Sequence, residues 1–214
     1  MPLLLDAVGG RRDAGSVSQS YLLLWPQRRI DQLKKNGEVG QPLEVLYGSP
    51  HSSAPSLRRY GIESGDHVYV VGLRAGVVYV VARIEVEKVI STDEYFRDYL
   101  RLPARDLKLH LWDMEEKLAR DRPQLGHRLP FGCVDEAAVA ASSSPVTLDA
   151  PIPVDVLAAL RFRTKRGEER SLPLEQGLLR KLPALQGHFH RLTPETVPLL
   201  EGLVGSHRLQ SATA

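Results

Sequence analysis

Two β-branched runs separated by a short glycine-containing gap constrain this chain more than anything else in it. Residues 67–73, HVYVVGL, follow the turn dipeptide Gly65-Asp66, and residues 77–89, VVYVVARIEVEKV, return after Arg74-Ala75-Gly76. Val and Tyr favour the extended state because branched and aromatic side chains fit a pleated surface. Glycine supplies the positive φ that a tight connection needs. The pair predicts a β-hairpin. In its outer half the second run alternates, with Arg83, Glu85 and Glu87 on one face and Ala82, Ile84 and Val86 on the other, whereas residues 77–81 are apolar on both. That switch predicts a strand running from a doubly buried centre to a half-solvated rim.

A chain of 214 residues is ample for a core that holds without covalent help. The single Cys133 excludes an intrachain disulfide, and no Cys and His cluster has zinc spacing, so neither metal nor cofactor is expected. The lone thiol suits a reducing compartment. No apolar run approaches the ~20 residues of a membrane span, and MPLLLDAVGGRR, with no basic residue before its apolar patch, is a poor signal peptide. The expected location is the cytoplasm, away from membranes. Lys plus Arg exceeds Asp plus Glu by two, too slight an excess for indiscriminate binding to phosphate backbones. Any nucleic-acid site must be local.

The rest of the chain is read around the hairpin. Residues 1–19 form a loose arm. A short strand over 20–25 ends at Pro26, a helix over 27–35 buries Ile30 and Leu33 and stops at Asn36-Gly37, and a strand candidate over 42–47 leads into a Ser-, Pro- and His-rich loop. After the hairpin, one of Ser91, Thr92 and Asp93 caps a short helix carrying Tyr95, Phe96 and Tyr99. Leu107, Leu111, Met114 and Leu118 mark a second helix over 104–120, and residues 130–141 read as a strand closing the sheet. A body over 20–145 is then followed by an extension over 146–214. Between 161 and 191 the extension has eight Lys or Arg against three Glu. It reads as a helix within 151–160, a basic hairpin turning at Arg166-Gly167, and a final helix begun by Thr193-Pro194-Glu195. That helix is expected to bury Val197, Leu199, Leu200 and Leu203 and to stop at Gly205. Such pieces are too small for a core of their own and are expected to dock on the body.

The order YLLLWP, RRIDQLKK, YGSPHSSAPS, LRRYGIESGD and HVYVVGLRAGVVYVVARIEV resembles that of PUA-like proteins, and within that superfamily it is most similar to EVE and ASCH domains. The resemblance covers residues 21–89 and, more loosely, 131–141. It implies an α+β fold, a mixed but mainly antiparallel β-barrel with peripheral helices, here carrying a small basic C-terminal extension. It also implies a pocket for a flipped or single-stranded base, often a modified one. Carried onto this chain, the aromatic walls are Trp25 and Tyr47, where EVE domains usually have Trp at the second position. The polar wall is drawn from Ser49, His51, Ser52 and Ser53. Arg28, Arg29, Arg58 and Arg59, with Arg163, Lys165 and Arg166 of the basic hairpin, are the candidates for contact with the nucleic-acid backbone.

The residues themselves offer little catalysis. No glycine-rich phosphate loop, nucleophile elbow or zinc-histidine motif is present, and His188 and His190 in GHFH suit one strand face better than a metal site. No catalytic residue is assigned. The expected function is recognition of a base in DNA or RNA. The alternatives are an ASCH-like ribonuclease using His51 and a protein-interaction or small-ligand module on the same fold.

Overall fold

The computed structural model describes residues 17–35, 37–49, 55–101, 135–164, 166–175, 177–179, 185 and 188–211. The helix expected over 104–120, Cys133 and most of the arm lie outside the described residues.

The first strands form as their composition dictates. β1 (Ser20–Leu24) is buried along its length and is stopped by Pro26; α1 (Gln27–Lys35) buries Ile30 and Leu33; β2 (Val45–Gly48) follows. β3 (His67–Arg74) and β4 (Val77–Ser91) pair antiparallel as the hairpin. Its two loop residues, Ala75 and Gly76, both have positive φ, 50° and 81°, the backbone twist that a two-residue hairpin requires. Ser91 accepts a hydrogen bond from Glu94 N and caps α2 (Thr92–Glu94), which a π-helical turn (Tyr95–Tyr99) continues. β5 (Glu136–Ser143) then pairs with both β4 and β2.

The extension shares the sheet rather than standing apart from it. β6 (Ala150–Pro151) pairs with β4, and α3 (Val154–Ala159) follows. β7 (Phe162–Arg163) and β8 (Glu169–Arg170) make the basic hairpin, with Gly167 at φ 84° in its turn, and β9 (Leu174–Glu175) and β10 (Leu178–Leu179) make another. β11 (Phe189–Arg191) pairs antiparallel with β1, and a 3-10 turn (Pro194–Thr196) leads into α4 (Val197–Ser211). The result is an α+β chain around one curled, mixed sheet in the order β11-β1-β3-β4-β5-β2, antiparallel except where β1 lies parallel to β3.

Side-chain alternation places different clusters on the two faces. Tyr21 and Leu23 of β1, Val68 and Val70 of β3, and Ile30 and Leu33 of α1 meet inside the curl. Leu22 and Leu24, with Tyr69 and Val71, face the other way, where Leu157, Leu160, Phe162, Leu192 and Leu200 of the extension cover them. This double burial explains why residues 78–81 are apolar on both faces, whereas Val77 at the hairpin turn is exposed. A β-bulge explains the phase change. Val70 is opposite Ala82 but Val71 is opposite Val80, so Val81 is the extra residue, and the inward side of β4 passes from Tyr79 and Val81 to Ala82, Ile84 and Val86.

Two expectations need correction. α4 continues through Gly205 to Ser211, because one interior glycine costs only ~1 kcal/mol against alanine and does not stop a helix by itself. Its buried side is centred on Leu200 and Val204, while Leu199 is exposed. Facing Leu200's neighbour is a polar clamp: Tyr69 donates a hydrogen bond to Glu201, Arg83 Nε lies 2.9 Å from Glu201 Oε1, and Arg83 Nη2 lies 3.0 Å from His67 Nε2. Burial, then the bond to Glu201, pushes the Tyr69 hydroxyl well above its usual pKa, so it stays a donor. Glu201→Ala is expected to cost about 1–2 kcal/mol, limited by the partial exposure of the carboxylate. Hydrogen exchange should show α4 opening before β3 and β4. Unchanged protection in α4 would mean that apolar packing holds the helix without the clamp.

Candidate functional site

The edge strands of the sheet are β2 and β11, and the chain between β2 and β3 ties them together through a 3-10 helix (Arg58–Tyr60). On the β2 side, the backbone at Gly48 and the Leu57 segment approach so closely that a Cβ on Gly48 would lie 2.8 Å from Leu57 Cγ and 3.0 Å from Leu57 N and Pro55 O. On the β11 side the Tyr60 ring packs edge-on against Phe189 at 5.6 Å, and Tyr21 Oη donates to Tyr60 O at 3.4 Å.

A buried carboxylate fixes this turn. Glu136, opposite Gly48 in the ladder, accepts hydrogen bonds from Ser56 Oγ at 3.0 Å, Leu57 N at 2.6 Å and Arg58 N at 3.2 Å. Ser56 Oγ accepts in turn from Arg59 N at 3.1 Å. The first N–H groups of a helix have no partner within it, and here they are met from a strand 79 residues away. At the other end Gly61, with φ 70°, donates to Arg58 O at 3.0 Å, and Ile62 N donates to Leu57 O at 3.1 Å. Both ends of the turn are therefore held.

What the turn presents is cationic and aromatic. Arg58 and Arg59 are exposed, and among the described residues neither guanidinium is paired with a carboxylate. Tyr60 Oη lies 2.6 Å from Nδ1 of the exposed His188, whose ring is 6.1 Å from that of His190. Burial raises the Tyr60 pKa against the opposing charge of Arg59, and burial lowers that of His190. Phe162 of the basic hairpin packs edge-on against His190 at 5.5 Å, which joins that hairpin to the same side. Its charge is partly neutralised: Arg163 lies 4.0 Å from Glu169 and Arg170 3.5 Å from Glu168, while Arg166 stands exposed at the turn.

The aromatic walls expected from the sequence do not meet. Trp25 follows β1, where Trp25 N donates to Val71 O, and its ring belongs to the cluster inside the curl. Tyr47 belongs to a third cluster, with Tyr95 and Phe96, on the opposite side of β2. Leu24 is level with Val71 and Val80, whereas Tyr47 is level with Ala137 and Ile90. The rows lie ten residues of β4 apart, roughly 30 Å along a strand. Both rings are buried, at 3% and 4% exposure, and Ser49 is buried as well. Arg29 is also buried, its guanidinium 4.0 Å from the centre of the Trp25 ring; it packs against that ring instead of reaching for phosphate. The side chain of Arg28, and residues His51, Ser52, Ser53 and Lys165, lie outside the described residues.

Sequence reasoning passed over Glu136, Tyr60 and the role of His188. Only the residue type of Glu136 hinted at its place, a carboxylate at the head of an otherwise apolar strand. Among the described residues no group of three or more His, Cys, Asp and Glu could hold a metal ion, and no helix is long and apolar enough to cross a membrane. Comparison of the chain with models of protein families, with curated proteins and with solved structures gave no match.

Proposed function

We propose that this protein binds nucleic acid in single-stranded or flipped-out form along the side that carries Arg58, Arg59, Tyr60 and His188. One observation carries the reading: two exposed guanidinium groups, neither paired with a carboxylate among the described residues, ride on a turn whose backbone is locked to Glu136, beside an aromatic pair. A fixed pair of arginines suits phosphate, which positions a strand without reading its sequence. The rings of Tyr60 and His188 offer a base a partner of a kind that single-strand binders use. The helix between β1 and β2, the Gly-Asp turn before β3 and the mixed curled sheet also support a PUA-like reading, and with it a preference for a modified base.

Fluorescence anisotropy with labelled RNA and DNA strands tests this. Arg58→Ala with Arg59→Ala should weaken every strand alike and reduce the slope of log affinity against log salt by about 1.4, for two phosphates at ~0.7 each. Tyr60→Ala should cost about 1–3 kcal/mol of binding with the slope unchanged. If neither change alters binding, or if no strand binds at low salt, the reading fails. The short Tyr60–His188 contact also fits a ribonuclease, since a hydroxyl and an imidazole in contact can move protons. Reproducible RNA cleavage lost in His188→Ala, with binding retained, would favour that reading.

A further inference from the structure

At the other end of the sheet, beside the β3–β4 turn, two adjoining concavities of about 390 and 250 Å³ share Arg74, Tyr79, Leu148 and Asp149. The smaller also takes Asp31 and Lys34 from the exposed side of α1. The cleft is distinct from the side that carries Arg58 and Arg59, and the inference goes beyond the nucleic-acid reading without depending on it.

Three features mark the cleft as more than a surface irregularity. Tyr79 lines both parts, is 5% exposed, and makes no hydrogen bond through its hydroxyl among the described residues. The hydroxyl is not sealed from solvent, and a cleft ligand can take its hydrogen bond in place of water. The ring is held in place by the absence of a side chain. A Cβ on Gly72, across the ladder from Tyr79, would lie 2.5 Å from Tyr79 Cζ and from Ile30 Cδ1. Glycine inside a strand weakens it, and one such site is where another group comes close. The charge of the lining is balanced: Arg74 and Lys34 are set against Asp31 and Asp149, above an apolar floor that includes Ile30 and Leu148.

We infer that this cleft binds a small zwitterion with an apolar body, the size of an amino acid or dipeptide. A ligand bearing only negative charge would gain from Arg74 and Lys34 but be repelled by Asp31 and Asp149, and a cation would meet the converse. A nucleoside monophosphate falls in the first class. A zwitterion satisfies both sets, its hydrocarbon portion covers the floor, and its carboxylate or carbonyl accepts from Tyr79. Burial, the largest influence, raises the pKa of that phenol despite Arg74, which keeps it a donor at neutral pH.

Calorimetric titration of the full chain tests the inference with L-leucine and leucyl-leucine. Isovalerate, isoamylamine and adenosine monophosphate serve as probes carrying one sign of charge or the other. The expected result is saturable binding of leucine or its dipeptide, at least tenfold tighter than any of the three. Tyr79→Phe keeps the ring and its packing and should weaken leucine binding about tenfold, the loss of one hydrogen bond to a charged acceptor. Arg74→Gln and Asp149→Asn, both at exposed positions, should each weaken it tenfold or more. Absence of binding up to about 10 mM, equal binding of a singly charged probe, or indifference to all three substitutions would overturn the inference. Arg58→Ala with Arg59→Ala should leave this titration unchanged, so failure here and failure of nucleic-acid binding are separate results.

Discussion

Glu136→Ala is expected to destabilise the fold by about 3–5 kcal/mol. The substitution removes one acceptor that serves Ser56 Oγ, Leu57 N and Arg58 N together. A buried donor left without a partner costs ~1–3 kcal/mol, and water can relieve only the more open of the three. Glu136→Gln keeps an acceptor oxygen and should cost about half as much. Urea unfolding measures both. The amides of Leu57 and Arg58 should lose hydrogen-exchange protection in Glu136→Ala, and nucleic-acid affinity should fall with them because the arginines would no longer be held. A loss below ~1 kcal/mol would show that the packing of Leu57 and Tyr60 fixes the turn unaided.

Trp25→Ala is expected to act through the core. Emptying a buried tryptophan site costs ~3–5 kcal/mol, and here it also strips Arg29 of the ring beneath its guanidinium, leaving a buried cation with less to offset its desolvation. The urea midpoint should drop accordingly, while affinity for nucleic acid, measured below the unfolding transition, stays within about twofold. If affinity for a modified base vanished with stability unchanged, Trp25 would belong to a pocket after all.

What could be read from the sequence was what neighbours in the chain decide. β-branched composition and the Ala75-Gly76 loop gave the hairpin, Pro26 and Gly37 bounded α1, and the apolar doubling of residues 77–81 foretold that both faces of β4 are covered. The bulge at Val81 was hidden, because an extra residue in a run of valines leaves no mark on composition. The candidate site was hidden for a different reason. Tyr60 meets His188 at a separation of 128 residues and Ser56 meets Glu136 at 80, and no local pattern encodes either meeting. Trp25 and Tyr47 show the converse. They are near in sequence, but among the described residues β2 pairs with β5 alone, which in turn meets the far end of β4, so the topology sends them to opposite ends.

The pairing of β1 with both β3 and β11 also sets the order in which the chain can fold during synthesis. A nascent chain that has emerged only through β5 can form the hairpin and most of the cluster inside the curl, lacking Val146 and Phe189. It still displays Leu22, Leu24, Tyr69 and Val71 as an uncovered apolar face beside an unpaired edge of β1. Exposed strand edges and apolar faces are the features on which chains aggregate. Ribosome-bound intermediates truncated after Ser143 should therefore recruit holdase chaperones, and release should coincide with emergence of residues 189–200, when β11 closes that edge and Leu192 and Leu200 cover the face.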